Sequence, residues 1–285
     1  MRVFVLGHRG MLGHVVARFL EGRGWEGVTS PLRYAGAARD PLVESVRDSG
    51  CEWVVNALGR IKQKTQDPNE LYLANALFPL HLSTRLRSEQ RLIHASSDCV
   101  FSGRRGRYAI GDERDAEDVY GLSKALGEAA AQSGRCWIIR SSIIGPEVGT
   151  GWGLMGWFLR QSGEVTGYTN HLWNGITTLE WAGIAWELMN GQLSAKAPLI
   201  QAGTWPPMSK CEVLRLIGQA WGLGVNVRPA EAKDAVDRSL IPTVKRPPLE
   251  HQLSALRTWY ESSNPAESSG RANAEAAVIG RSSSV

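Results

Sequence analysis

The sequence predicts an α/β fold, a doubly wound parallel sheet with helices on both faces and a smaller C-terminal lobe. Two observations predict it. Over the first 145 residues, short β-branched or apolar runs alternate with segments of helical spacing. A turn with glycines at Gly7, Gly10 and Gly13 follows the first apolar run and opens the first helix. The chain length of 285 residues suits one large α/β domain with a smaller lobe.

The predicted elements follow in the order that parallel strands and crossover helices require. Glycine and serine end most segments, and the strand runs are rich in valine and isoleucine. The predicted strands cover residues 2–6, 27–30, 51–59, 91–97 and 136–145. The predicted helices cover residues 14–24, 41–50, 70–89 and 118–134.

After about residue 145 this alternation stops. Six of the 11 tryptophans lie between Trp137 and Trp186, in segments rich in glycine and short on strand pattern. We expect a first domain at 1–145, with later segments able to return to it. A smaller lobe of loops and helices follows at 146–262, with helices at 180–191, 210–222 and 249–263. The small polar residues at 263–285 predict a disordered tail.

Composition excludes several classes of protein. The net charge of +4 comes from interspersed charges, so no segment resembles a nucleic-acid-binding arm. No apolar run approaches the roughly 18 residues that a membrane span needs. The four cysteines lack CxxC or CxxH spacing, which favours reduced thiols over disulfides or metal ligands. We therefore expect a soluble, cytoplasmic protein without a metal site, a nucleic-acid partner or a membrane partner.

The glycine turn predicts a cofactor site. Glycines let the backbone approach a pyrophosphate, which then lies at the positive end of the following helix. The spacing is GxxGxxG, and the residues between the glycines are also candidates for cofactor contacts: Arg9, Met11 and Leu12. The domain at 1–145 is thus predicted to bind a dinucleotide.

The residues after the second strand predict which dinucleotide binds. An acid there binds the ribose 2′-hydroxyl of NAD, whereas an arginine accommodates the 2′-phosphate of NADP. No acid occurs between Val28 and Asp40, while Ser30 and Arg33 do. We therefore expect NADPH, with Ser30, Arg33 and Arg9 near the phosphate. NADH stays open, because Arg33 is equally compatible with a plain surface role.

Two further strand ends supply candidate residues. Asn56, Ala57 and Gly59 follow the third strand, where backbone groups can contact the ribose next to the nicotinamide. Ser97 and Asp98 end the next strand, in the same crevice. The Ser97 hydroxyl is a candidate donor to a substrate carbonyl. A serine at a strand end is also a common turn former.

Tyr120 and Lys124 are the candidate acid–base pair. They are four residues apart and therefore lie on one face of the predicted helix. A tyrosine with a pKa of about 10 is a poor proton donor or acceptor at neutral pH. A neighbouring cation stabilises the phenolate, so we expect Lys124 to lower the pKa of Tyr120.

Together these motifs resemble the extended short-chain dehydrogenase/reductase family, and within it the dTDP-4-dehydrorhamnose reductases. The glycine turn, Ser97, and Tyr120 with Lys124 match the family's positions. Residues 94–103 (HASSDCVFSG) resemble its S-T-D-Y-V-F-x-G stretch, and residues 120–128 (YGLSKALGE) resemble its Y-G-x-S-K-x-x-G-E helix. Short segments similar to the family's sequence also occur at 54–57, 75–79 and 237–240, so the resemblance covers roughly residues 1–260.

The resemblance implies an NADPH-dependent reductase of a nucleotide-linked 4-keto-6-deoxy sugar. By this resemblance Tyr120 protonates the developing alkoxide and Ser97 holds the carbonyl. Lys124 binds the cofactor's ribose, and the nucleotide occupies the smaller lobe. The substrate-binding candidates are Asp98, Cys99, Arg140, Trp152, Trp173 and Asn174. For the last four, packing or a surface salt bridge is the alternative role. A homodimer stays open.

Three departures from the family's pattern bear on the substrate. Cys99 stands where the family has tyrosine, and Ser97 where it has threonine. Residues 167–178 stand where the family has a shorter G-x-P-T motif. Three other functions therefore stay open: a nucleotide-sugar epimerase or dehydratase, a non-catalytic binding or regulatory subunit, and an oxidoreductase for a non-sugar ketone.

Overall fold

The computed structural model describes residues 1–148, 151–193 and 197–263. Up to residue 148 the strands alternate with helices along the chain. The strands are β1 (Arg2–Leu6), β2 (Glu26–Val28), β3 (Trp53–Asn56), β4 (Arg91–Ser96), β5 (Cys136–Arg140) and β6 (Ile143–Ile144). The helices are α1 (Gly13–Glu21), α2 (Pro41–Arg47), α3 (Pro68–Tyr72), α4 (Phe78–Arg85) and α5 (Val119–Gly127).

The second half contains helices and more strands than the sequence predicts. Its helices are α6 (Leu154–Phe158), α7 (Thr178–Met189), α8 (Lys210–Trp221) and α9 (Leu249–Ser263). Its strands are β7 (Glu164–Tyr168), β8 (His171–Trp173), β9 (Ile176–Thr177), β10 (Leu199–Gly203), β11 (Met208–Ser209), β12 (Asn226–Ala230), β13 (Val236–Asp237) and β14 (Val244–Lys245). The expectation of loops and helices alone is wrong, because strands of two to five residues are too short to show alternation.

A parallel sheet of seven strands runs through the described residues in the order β14-β10-β5-β4-β3-β1-β2. The register aligns Leu6 with Asn56, and Asn56 with His94. Because these strands are parallel, the turns after β1, β3 and β4 meet at one edge of the sheet. The predicted doubly wound α/β fold is confirmed.

Helices cover both faces of this sheet because each presents an apolar stripe. In α1 the buried residues include Val15, Val16, Phe19 and Leu20, which pack with α7 on one face. On the other face, residues of α2 and α4 pack against β1, β3 and β4. The sheet edge at the carboxyl ends of the strands is thus held rigidly between two cores.

Segments from beyond residue 145 enter the central sheet. β10 pairs with β5 and β14 pairs with β10, while α7 packs against α1. A separate core joins α6, α8 and α9 with β7 and β12. The division into 1–145 and 146–262 stays a prediction, since both ranges contribute to one sheet. The predicted tail at 263–285 lies outside the described residues, apart from Ser263 at the end of α9.

The predicted helix at 70–89 is interrupted. Between α3 and α4 the chain makes a π-helical segment, Leu73–Leu77. Pro79 follows it and has no N–H, so it cannot donate to the carbonyl of Asn75 as an α-helical residue would. A Cβ at Gly127 would lie 2.1 Å from that carbonyl oxygen. The glycine therefore allows α5 to pack directly against the π-helical segment.

Candidate active site

The glycine turn lies at the carboxyl end of β1. Gly7 has a φ of 77°, and a Cβ there would lie 2.8 Å from the Leu58 nitrogen. A Cβ at Gly13 would lie 2.2 Å from the Gly7 carbonyl oxygen. The N-cap residue of α1 is Leu12, whose side chain cannot accept a hydrogen bond. The turn thus offers bare backbone at a helix N-terminus, an arrangement that suits phosphate groups.

The residues between the glycines divide into exposed and buried ones. Arg9 is exposed and free to reach a ligand. Leu12 is buried in the core beneath α1, so only its backbone is available. The Met11 sulfur lies 3.7 Å from where a Cβ at Gly153 would stand. A loop from the second half of the chain therefore borders the turn.

The segment after β2 has no free carboxylate near its start. β2 ends at Val28, two residues before the predicted end, and Arg33 is exposed. The Ser30 hydroxyl accepts a hydrogen bond from the Leu32 nitrogen at 3.2 Å. Asp40 is fully buried, and its carboxylate accepts from the nitrogens of Ala35, Gly36 and Leu42. The first acid after β2 therefore holds its own loop and the start of α2.

The turn after β3 is fixed by buried amides. Asn56 accepts from the Leu58 nitrogen at 3.1 Å, and its amide nitrogen lies 3.0 Å from Nδ1 of His94. Burial, together with the charge of Lys124, holds the pKa of His94 well below its usual value. His94 is therefore neutral at pH 7. Gly59 follows the turn, and a Cβ there would lie 3.2 Å from the Lys124 ammonium.

Ser97 lies at the end of β4, in extended backbone. Its hydroxyl donates to Oδ1 of Asp98 at 3.0 Å and accepts from the Cys99 nitrogen at 3.1 Å. A Cβ at Gly121 would lie 2.2 Å from the Cys99 carbonyl oxygen. This glycine lets the first turn of α5 lie directly against the end of β4. Ser97 and Tyr120 are thereby brought together, as the sequence predicts.

Tyr120 and Lys124 lie on α5, which begins where Asp118 accepts from the Gly121 nitrogen at 2.8 Å. The Lys124 ammonium donates to the Ala95 carbonyl at 3.1 Å. Burial lowers the pKa of Lys124 to about 8, while Glu128 and Cys99 oppose the change.

The pKa of Tyr120 differs from the prediction. Burial, and then the neighbouring Cys99, raise the pKa of Tyr120 above its usual value. The group that lowers this pKa is the Ser97 hydroxyl, and the expected effect of Lys124 is absent among the described residues. The reason is desolvation, which helical spacing cannot report. The phenol is consequently protonated at neutral pH.

Arg140 was expected at the substrate, and the structure contradicts this. Its side chain is fully buried. It donates to both oxygens of Glu128, at 2.8 and 2.6 Å, and to the Gln201 side chain at 2.7 Å. Glu128 also accepts from Ser96 at 2.6 Å. Arg140 therefore holds the sheet to the C-terminal end of α5, and each of its three guanidinium nitrogens already donates to a buried protein oxygen.

Two other substrate candidates are structural as well. Asn174 is buried and bonds the Thr204 carbonyl and both backbone groups of Leu240. Trp173 is buried, and its indole donates to the Ser142 hydroxyl at 2.7 Å. Trp173, expected as a ligand wall in a loop, lies instead in β8, and the side chain of Asn174 is committed to backbone hydrogen bonds. Trp152 is exposed and remains a candidate.

Sequence reasoning missed Lys210. It is the first residue of α8, after a capping box formed by Ser209 and Glu212. Its ammonium lies 5.3 Å from the centre of the Trp173 ring. Burial lowers the pKa of Lys210 to about 8, and the charge of Asp98 opposes this. The spacing of Ser209 and Glu212 in the sequence is typical of a capping box and predicts where α8 begins. It does not predict which side chains surround Lys210.

The described residues hold no group of three or more His, Cys, Asp or Glu side chains placed to bind a metal ion. Within the same residues, no helix is both long and apolar enough to cross a membrane.

Several solved structures are similar in fold to this chain. The dTDP-4-dehydrorhamnose reductase of Clostridium acetobutylicum has a TM-score of 0.76 at 16% identity, over 92% of this chain and 100% of that one. That of Bacillus anthracis, in complex with NADP, has a TM-score of 0.77 at 16% identity, over 90% and 99%. The Bordetella bronchiseptica enzyme WbmG, in complex with NAD and UDP, has a TM-score of 0.71 at 17% identity, over 92% and 96%. Such low identities show the fold.

The sequence comparisons give the family. A search of curated proteins finds no match. The family model described as RmlD substrate binding domain matches residues 1–160, more than half of the 285 residues. The motifs that first suggested this resemblance, the glycine turn and the Tyr120–Lys124 pair, lie within that range. The chain belongs to the family of the RmlD substrate binding domain.

Proposed function

We propose that this chain is an NADPH-dependent reductase of a nucleotide-linked 4-keto-6-deoxy sugar, with Tyr120 as the general acid. One observation carries the proposal: Ser97, Tyr120 and Lys124 converge beside the glycine turn, at the edge where the strands end. Solved relatives of the same fold are described as dTDP-4-dehydrorhamnose reductases, one of them in complex with NADP.

The residues fit a nicotinamide dinucleotide. The glycines at 7 and 13 let the turn pack against the loop after β3 and against itself, because a Cβ at either position would collide with backbone atoms. The start of α1, which no side chain caps, can then receive a pyrophosphate. The Lys124 ammonium lies next to Gly59 in the loop after β3. Asp40 is committed to its own loop, so it cannot select the free 2′-hydroxyl of NAD. Arg33 and Ser30, which follow β2, favour the phosphorylated form, and Arg9 on the glycine turn is a further candidate for the phosphate.

The chain's own residues perform the proton transfer. When bound, the reduced nicotinamide supplies the hydride for the ketone. The Ser97 hydroxyl exchanges its hydrogen bond to Asp98 for one to the carbonyl oxygen, and so orients the ketone. Tyr120 gives its proton to that oxygen, since its raised pKa keeps the phenol protonated until an alkoxide, a much stronger base, develops. Lys124 binds the ribose of the cofactor.

In this proposal the substrate binds to residues from the second half of the chain. We place its nucleotide in the lobe around α6, α8 and α9, with Trp152 as an exposed wall and Asp98 and Cys99 beside the sugar. The assignment of residues 146–262 to this lobe, and of 1–145 to the cofactor domain, belongs to the proposal. So does a cytoplasmic location, which the free thiols of all four cysteines suit.

A second copy of the chain is the partner we propose for one exposed apolar face. Leu122 and Leu126 lie four residues apart on α5 and are 37% and 54% exposed. Leu77, on the adjoining π-helical segment, is 53% exposed. Exposed apolar patches of this kind commonly mark protein contacts.

The function is tested with the full chain in two steps. A thermal-shift panel with NADPH, NADH and dTDP ranks ligands, because stabilisation follows ligand concentration relative to Kd. NADPH consumption is then followed with dTDP-4-keto-6-deoxyglucose. We expect net consumption by the wild type and none by Tyr120→Phe, with NADPH still stabilising both. Turnover without net consumption would indicate an epimerase or dehydratase, and an unaffected Tyr120→Phe would exclude the proposed mechanism.

A further inference from the structure

A small sheet from the second half of the chain is docked beside Ser97. β8 lies between β11 and β13, with Met208 paired to Trp173 and Asp237 paired to Leu172. Lys210 and Arg238 directly follow the two outer strands. The Asp237 nitrogen donates to the Gly103 carbonyl at 2.7 Å, and Arg238 Nε donates to the Phe101 carbonyl at 2.9 Å. The sheet is thereby fixed against the segment that runs on from Ser97.

Lys210 projects from this sheet toward the site. Its ammonium lies over the Trp173 ring and interacts electrostatically with Asp98, Cys99 and Arg238. Among the described residues it has neither a hydrogen bond nor an ion pair within 4.0 Å. The thiol of Cys99 is neutral, because burial and Asp98 raise its pKa to about 12. Lys210 is therefore a partly buried donor without an acceptor.

Asp98 is the matching acceptor. Both of its side-chain hydrogen bonds, from the Ser97 hydroxyl at 3.0 Å and the Cys99 thiol at 3.7 Å, go to Oδ1. Oδ2 accepts no hydrogen bond from the described residues. The charge of Asp98 acts on Lys210, and no hydrogen bond or ion pair within 4.0 Å joins the two side chains. Lys210, which has no acceptor among the described residues, thus lies on a sheet docked beside the segment of Asp98, whose Oδ2 has no donor among them.

We propose that Lys210 and Asp98 together bind a hydroxyl group of the substrate sugar, next to the carbon that is reduced. The Lys210 ammonium donates a hydrogen bond to the hydroxyl oxygen, and Asp98 Oδ2 accepts a hydrogen bond from the hydroxyl group. A hydroxyl suits this pair because it both donates and accepts. A carboxylate or phosphate in the same place would be repelled by Asp98.

The position of Ser97 identifies the hydroxyl. Ser97 holds the ketone oxygen in the proposed function, on which this inference rests, and Asp98 is the next residue. In a 4-keto-6-deoxyhexose, the carbons beside the ketone are C3, which carries a hydroxyl, and C5, which carries the methyl group. The hydroxyl at C3 is therefore the one that Lys210 and Asp98 select.

The test compares two substrates in four proteins. The substrates are dTDP-4-keto-6-deoxyglucose and its 3-deoxy analogue. The proteins are the wild type, Lys210→Met, Lys210→Arg and, as control, Lys233→Met at an exposed lysine. We expect the wild type and the control to prefer the hydroxylated substrate by about 10- to 100-fold in kcat/KM, as charged hydrogen bonds do. Lys210→Met loses most of this preference through KM, and Lys210→Arg keeps part of it.

Several outcomes would overturn the inference. If Lys210→Met keeps the wild-type preference, or slows both substrates equally, Lys210 does not contact the C3 hydroxyl. If Lys210→Met weakens binding of dTDP alone as much as binding of the sugar nucleotide, it contacts phosphate. If the wild type turns over neither substrate while NADPH still binds, the proposed function itself fails and this assignment fails with it.

Discussion

Lys210→Met should stabilise the ligand-free protein at pH 7. The methionine keeps the length of the side chain and its packing on the Trp173 ring. It removes an ammonium group whose burial lowers the pKa of Lys210 from 10.5 to about 8. The lysine is therefore protonated at pH 7 at a cost in folding free energy, because its charge is better solvated in the unfolded chain.

The size of the effect follows from the two pKa values. At 1.36 kcal/mol per pH unit, the change from 10.5 to about 8 corresponds to about 3 kcal/mol. Loss of the cation–π contact destabilises the variant by about 0.5–2 kcal/mol, which offsets part of this gain in stability. Lys210→Met should thus raise the free energy of unfolding at pH 7 by about 1–3 kcal/mol. As the pH rises from about 8 toward 10.5, the folded state gives up its proton first, so the advantage of the variant shrinks.

Urea denaturation at pH 7 and pH 9.5 measures both the size and the pH dependence. Lys233→Met is the control, because Lys233 is exposed and its removal should change stability little. The reasoning is refuted if Lys210→Met is less stable than the wild type at pH 7. It is also refuted if the difference between the two proteins stays constant from pH 7 to pH 9.5.

Three further predictions concern other parts of the molecule. Glu128→Gln should lower the free energy of unfolding by about 3–5 kcal/mol in urea denaturation, because it leaves Arg140 buried without its carboxylate; a loss below 1 kcal/mol would contradict this, and exposed Glu250→Gln is the control. Arg33→Ala should weaken NADPH binding by about tenfold in calorimetry and leave NADH unchanged; equal losses for both would exclude a 2′-phosphate contact. Leu126→Glu should convert a dimer to a monomer in sedimentation velocity at unchanged thermal stability; an unaltered sedimentation profile would place any dimer contact elsewhere.

The sequence could predict those parts of the site that depend on local spacing. Gly7, Gly10 and Gly13 define a turn wherever a strand runs into a helix, and Tyr120 and Lys124 share a helix face in any context. These residues are where the pattern placed them. The pKa of Tyr120 could not be predicted in the same way, because burial depends on what covers α5.

Residues whose role depends on distant partners were not predictable. Arg140 is paired with Gln201, which is 61 residues away along the chain, and with the buried Glu128. Lys210 lies near Asp98 in space only because β11, β8 and β13, from three separate segments of the chain, form one sheet. No local pattern marks either pairing. The strands, helices and turns could be predicted from the local residue pattern. The surroundings of Arg140 and Lys210 could be found only in the tertiary structure.

The side chain of Asn75 joins two parts of the site that the chain keeps far apart. Its Oδ1 accepts from the Arg60 nitrogen at 2.9 Å, and its Nδ2 donates to the Arg60 carbonyl at 2.9 Å and to the Ser123 hydroxyl at 3.1 Å. Any shift of the loop after β3 relative to α5 must break one of these bonds. The loop that carries Gly59 and the helix that carries Lys124 are therefore held in one arrangement by a single buried amide.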